Sequence, residues 1–125
     1  MFSADQFVAH LVGDFVLQSD WMASEKVRSH FAAAVHVVVY TLPFLFISQD
    51  PAVLAVIAGT HFIIDRWRLA RYVVWVKNLP WRPWAECSAT GSHESRPLFL
   101  TVWLLIIVDN TMHIICNGLA LRYLG

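Results

Sequence analysis

The sequence predicts an all-α fold: a four-helix transmembrane bundle with an interfacial aromatic and basic segment between helices three and four. Three observations predict it. Hydrophobic residues make up 58% of the 125-residue chain and charged residues 14%, against about 25% charged in ordinary soluble domains. Four long apolar segments recur, and most of the charges collect between them. A chain this short cannot hide so much apolar surface in one core, so residues 1–125 read as a single integral membrane domain.

The first segment runs from Ala4 to Leu17. It is short for a crossing, which takes about 20 residues, and either extends towards Trp21 or is shielded by the other helices. The second, Phe31 to Ile47, is interrupted among strongly polar residues only by His36, and Pro43 is its kink candidate. Ser48-Gln49-Asp50-Pro51 reads as a tight turn. The third segment runs from Ala52 to Ile64 and continues, with charges, to Arg71. From Trp67 to Trp84 aromatic residues alternate with Arg and Lys, the composition of chain lying at headgroup depth. Residues 86–96 read as a polar loop, and Leu98 to Leu121 is the clearest span.

Charge placement orients this bundle. Lys26 and Arg28 follow segment one, and Arg66, Arg68, Arg71, Lys77, Arg82 and Arg96 lie between segments three and four. Basic connections stay cytoplasmic, so a multi-pass protein of the cytoplasmic (inner) membrane is expected, with both termini outward. Arg122 is the exception. Formal net charge is zero, so nothing argues for a nucleic-acid partner. Cys87 and Cys116 fit no zinc or redox spacing and sit in unlike segments, so no disulfide is expected. The N-terminus has no basic leader region and does not read as a cleaved signal peptide.

The pattern that points to chemistry is three His/Asp pairs four residues apart: His10/Asp14, His61/Asp65 and Asp109/His113. Scattered at random, six His and six Asp would give about 0.6 such pairs. That spacing puts both members on one helix face, one turn apart. The third pair is reversed, and its segment runs antiparallel to the other two in the expected topology. All three His then share one depth and all three Asp the next, with His36 near the aspartate layer.

Ionisable groups at membrane depth persist where they pair, coordinate or conduct. Imidazole and carboxylate together suit divalent metals, zinc foremost, and facing helices of a bundle build one- or two-ion sites. In this reading His10, His61 and His113 hold one ion. Asp14, Asp65 and Asp109 bridge or hold a second, with Asp65 and Asp109 as candidate general bases and Gln18 as a supporting partner. Arg66, Arg68 and Arg71 are candidates for an anionic headgroup or substrate, against a plainer role as lipid-facing anchors. The leading function is metal-dependent hydrolysis of a membrane-associated substrate. The alternatives are an ion or proton transporter or channel subunit, which four short helices would favour as a homo-oligomer, and a non-catalytic membrane interaction protein. Hydrogen-bonded pairs that tie helices together without metal are the plainest reading of the His and Asp residues.

The stretch His10-Leu-Val-Gly-Asp14-Phe-Val-Leu-Gln18-Ser-Asp20-Trp21 resembles the opening of a family of small bacterial and phage integral membrane proteins of unknown function, which carry His-x-x-Gly-Asp-Phe-x-x-Gln. More loosely, His61-x-x-x-Asp65 is similar to motifs of predicted membrane-bound metal-dependent hydrolases. The resemblance implies metal-ligand roles for His10, Asp14, His36, His61 and Asp65, and names no substrate. Gly13 within the motif is suited to close helix approach.

Overall fold

The computed structural model describes residues 2–125, and all the regular structure among them is helical. Six α-helices are described: α1 (Ala4–Leu11), α2 (Asp20–Glu25), α3 (His30–Thr41), α4 (Pro51–Arg66), α5 (Ala70–Lys77) and α6 (Leu98–Tyr123).

Local chemistry sets where four of them begin. Ser3, Ser19, Ser29 and Asp50 accept hydrogen bonds from the backbone N–H groups of Gln6, Met22, Ala32 and Ala52. Each cap satisfies a donor that the helix itself cannot. Pro51 then opens α4, where its missing N–H is no loss.

The breaks are equally local. α1 widens into one π turn over Val12–Val16, in which the Leu17 N–H reaches the Val12 carbonyl at 2.9 Å. Such a turn holds more residues than an α turn and shifts the facing of those within it. α3 tightens into a 3-10 turn over Leu42–Phe46, with Pro43 near its start. α4 ends at Arg66, and Arg68 takes a φ of 52°, in the left-handed region that no helix can continue through.

These breaks correct the expectation of four crossings. Among the described residues α6, with 26 residues, is the one helix long and apolar enough to cross a bilayer. Residues 30–46 are apolar but shorter, and α4 has 16 residues. A crossing helix takes about 20, and the first apolar segment is divided between α1 and its π turn and ends in a bend at Leu17.

Two compact units divide the chain. The first comprises the chain up to Trp67 together with His113–Gly125, and the second Arg68–Met112. In the first, α3 and α4 form the most extensive helix pair, over a core of Ala9, Tyr40, Phe44, Val53, Ile57 and Ala120. The π turn lies so close to α3 that a Cβ at position 13 would sit 2.7 Å from the Tyr40 carbonyl oxygen, so only glycine fits there. Phe15, Phe31, Val38, Phe46 and Ile63 remain exposed on this unit.

In the second unit α5 and the chain after it are held by rings and carbonyls. Tyr72 stacks on Trp84 and Trp75 on Trp81, while the Trp75 indole donates to the Arg82 carbonyl at 2.9 Å. Gly91 adopts a φ of 88°, and a side chain there would strike the Arg71 carbonyl.

Candidate metal centre

Three elements of the first unit bring four ligand-type side chains together. The π turn supplies Asp14, α3 supplies His36, and α4 supplies His61 and Asp65, one turn apart on one face. All four are buried, and one donor atom from each lies within 4.8 Å of all the others. His36 Nε2 is 2.9 Å from His61 Nε2 and 3.3 Å from both Asp14 Oδ1 and Asp65 Oδ2. His61 Nε2 is 3.6 Å from Asp14 Oδ1 and 3.0 Å from Asp65 Oδ2. Ligands at about 2.0–2.2 Å from a tetrahedral ion stand about 3.3–3.6 Å from one another. The observed separations bracket the short end of that range, so the donors already stand at ligand spacing.

A fifth group joins them from the end of α2. The Lys26 ammonium donates to Asp65 Oδ2 at 2.8 Å and lies 3.8 Å from Asp14 Oδ1. Its backbone is fixed by the neighbour of Asp65. Arg66 donates to the Val27 and Arg28 carbonyls at 2.8 and 3.4 Å, and its Nε donates to His30 Nδ1 at 3.2 Å.

Around this centre the rings are layered. His61 lies between Tyr40 and His113, with centroid separations of 3.6 and 3.9 Å and near-parallel planes. His113 Nε2 is 3.0 Å from Asp65 Oδ1, while Lys26 donates to the other oxygen, Oδ2. Beyond Tyr40 a second polar group forms: its hydroxyl is 2.7 Å from His10 Nδ1 and accepts from Asn117 Nδ2 at 2.7 Å.

Burial alone would raise the pKa of both carboxyls. At Asp14 the nearby His36 and His61 imidazoles, 3.3 and 3.6 Å away, outweigh it, and the group is held below its ordinary value of 3.8. At Asp65 the charge of His61 and the bonds from His113, His36 and His61 do the same. His36 moves the other way: burial lowers it, but its bonds to the two carboxylates prevail and raise it above 6.5. The centre therefore sets two ionised carboxylates against the Lys26 ammonium and two imidazoles. An array of two anions and two imidazoles at these separations is suited to holding a cation.

A family model described as "Protein of unknown function (DUF3307)" matches residues 2–121. The chain belongs to this family. No curated protein and no solved structure matches it. The DUF3307 match covers all four donors and Lys26, so the centre lies wholly within the family's region.

Of the residues singled out in the sequence, Asp14, His36, His61 and Asp65 come together, and His113 joins them through Asp65. His10 does not join the four; it is buried against Tyr40. Asp109 is half-buried in α6 and falls in the second unit. Arg66 holds the 27–28 backbone, whereas Arg68 and Arg71, in the second unit, donate to the Ala89 and Ser88 carbonyls. Gln18 lies half-buried between the π turn and α2. The four donors that meet are two imidazoles and two carboxylates. Sequence reasoning missed Lys26 and Tyr40 as members of this cluster. Tyr40 carried a usable signal, since it stands four residues after His36; Lys26 carried only a loop position.

Proposed function

We propose that this protein is a membrane-associated divalent-cation-binding protein that holds one first-row metal ion between Asp14, His36, His61 and Asp65. The observation that carries the reading is that four buried donors lie within 4.8 Å of one another, with each imidazole nitrogen 2.9–3.6 Å from the other three. Two imidazoles and two carboxylates suit zinc, with iron, manganese, cobalt and nickel as competitors. Association with the membrane is supported by α6 and by the exposed apolar side chains of the first unit. Six cations between Arg66 and Arg96 precede α6 and only Arg122 lies near its end, which orients its Leu98 end towards the cytoplasm.

Elemental analysis and equilibrium dialysis of the detergent-purified protein test this. About one divalent ion per chain is expected, and none in the His36→Ala/His61→Ala double variant. A folded parent that takes up none of Zn²⁺, Mn²⁺, Fe²⁺, Co²⁺ or Ni²⁺ overturns the reading.

A second reading, metal-assisted hydrolysis of a membrane-associated substrate, is favoured by one feature. His113 stands outside the four donors but is held by Asp65, and an imidazole so placed is suited to general acid–base work. Phosphoester and peptide substrates turned over by zinc-loaded parent but not by His113→Gln would support it. Loss of turnover only when zinc itself is lost would leave His113 a supporting residue.

A further inference from the structure

We propose that Lys26 is a tethered cation that keeps the place of the metal ion and is exchanged for it, so that an ion in the centre and a buried Lys26 ammonium exclude each other. This rests on the metal reading above and adds to it how the site is filled.

The first ground is position. The ammonium faces Asp65 Oδ2 and Asp14 Oδ1, and these same two oxygens face the Nε2 atoms of His36 and His61. Lys26 therefore claims both carboxylate oxygens that complete the donor set. An ion bound to Asp65 Oδ2 at about 2.0–2.2 Å would lie within about 5 Å of the ammonium as it stands.

The second ground is charge. Asp14 and Asp65 carry two negative charges, and a divalent ion balances both. Keeping Lys26 in place as well would leave a net positive charge in a buried site and set two cations side by side. Repulsion at that range is strong where water is scarce.

The third ground is freedom to leave. The Lys26 side chain is 15% exposed, against 5% and 3% for the two carboxylates, so its stem runs from the surface inward. A lysine stem is flexible and its head is strongly hydrated, so the ammonium can swing out to water and keep its charge solvated. The backbone beneath it need not move. Arg66 holds the Val27 and Arg28 carbonyls, and the Ser29 N–H is bonded to the Glu25 carbonyl at 2.9 Å. Exchange is then a side-chain rotation about a fixed loop.

The chain contains two lysines, Lys26 and Lys77, and Lys77 lies at the end of α5 in the second unit, which makes it an internal control. In the parent protein, acylation of each lysine by an amine-reactive ester is followed by mass spectrometry with and without saturating Co²⁺. Co²⁺ should speed labelling of Lys26 about tenfold, a shift of about 1.4 kcal/mol in its exposure equilibrium, and leave Lys77 unchanged. In parallel, Co²⁺ titration should show Lys26→Met binding at least about tenfold tighter than the parent, and Lys26→Arg no tighter. Labelling of Lys26 that is unchanged or slowed by Co²⁺ would overturn the exchange, as would Lys26→Met binding no tighter than the parent. If parent and Lys26→Met both fail to bind Co²⁺, the metal reading falls and the exchange with it. If both bind equally, only the exchange falls. Should Lys26→Met not fold, the labelling of the parent decides alone.

Discussion

Two regions of this chain are rich in charge and use it in opposite ways. In the second unit, Arg68 and Arg71 donate to backbone carbonyls, and the Arg71 guanidinium also lies over the rings of Tyr72 and Trp84. In the first unit, Asp14, His36, His61, Asp65 and Lys26 direct their charged or polar atoms at one another. A cation that ends on a carbonyl fastens chain to chain, and its partner stays neutral. Carboxylates and imidazoles that converge in a buried space create a strong local field, and charges so buried persist when they are paired or hold a metal. The basic segment is built as a tie, and the His/Asp cluster as a receptor.

The sharpest way to break that contrast is to cut each region once. Asp65→Ala removes the partner of Lys26 and His113 and a neighbour of His36 and His61. It should abolish Co²⁺ binding and cost about 3–5 kcal/mol of stability in thermal unfolding, as breaking a buried pair does. Arg71→Ala should leave Co²⁺ affinity unchanged; a comparable loss of binding there would erase the distinction. Next in size is Gly13→Ala, whose new methyl group would press on the Tyr40 carbonyl. A loss of about 1–3 kcal/mol is expected, and unchanged stability would mean that the helices are not so close. His10→Ala should cost about 1–3 kcal/mol by leaving the Tyr40 hydroxyl short of a partner. The visible spectrum of bound Co²⁺ should survive it, and a lost or altered spectrum would place His10 among the ligands.

The smallest effect is on pH. Asp14 and Asp65 sit below 3.8, so their contribution is present above that value and fades as pH falls through their lowered pKa values. His36 sits above 6.5, so its contribution is complete below 6.5 and fades as pH rises through its raised value. Metal-free protein should therefore melt highest between pH 3.8 and 6.5. A melting temperature that keeps climbing above neutral pH would contradict the pairing of His36 with the carboxylates.

Much of the centre was legible as spacing. His61 and Asp65 lie four apart in an uninterrupted stretch of α4, where the helix repeat holds, and they meet as that repeat requires. His10 and Asp14 have the same spacing, but the π turn intervenes. The wider turn changes the facing of Asp14, which goes to His36 and His61 while His10 goes to Tyr40. Nothing in the residue pattern marks that turn. Asp109 and His113 share the continuous α6, and His113 is bonded to the centre through Asp65. Lys26 was legible only as a loop charge, because loops have no periodicity to say where a long side chain points. The all-helical fold followed from the apolar segments. The number of crossings did not, since counting apolar residues cannot see the π turn, the 3-10 turn at Pro43 or the left-handed Arg68.

X-ray absorption at the zinc edge tests the central claim most directly, on detergent-purified parent and on the His36→Ala/His61→Ala variant. The parent should show nitrogen and oxygen ligands at about 2.0–2.2 Å, with the multiple-scattering pattern of two imidazoles. The variant should lose that pattern together with the zinc. A zinc shell without imidazole, or the same two-imidazole spectrum in the variant, would contradict a centre built on Asp14, His36, His61 and Asp65.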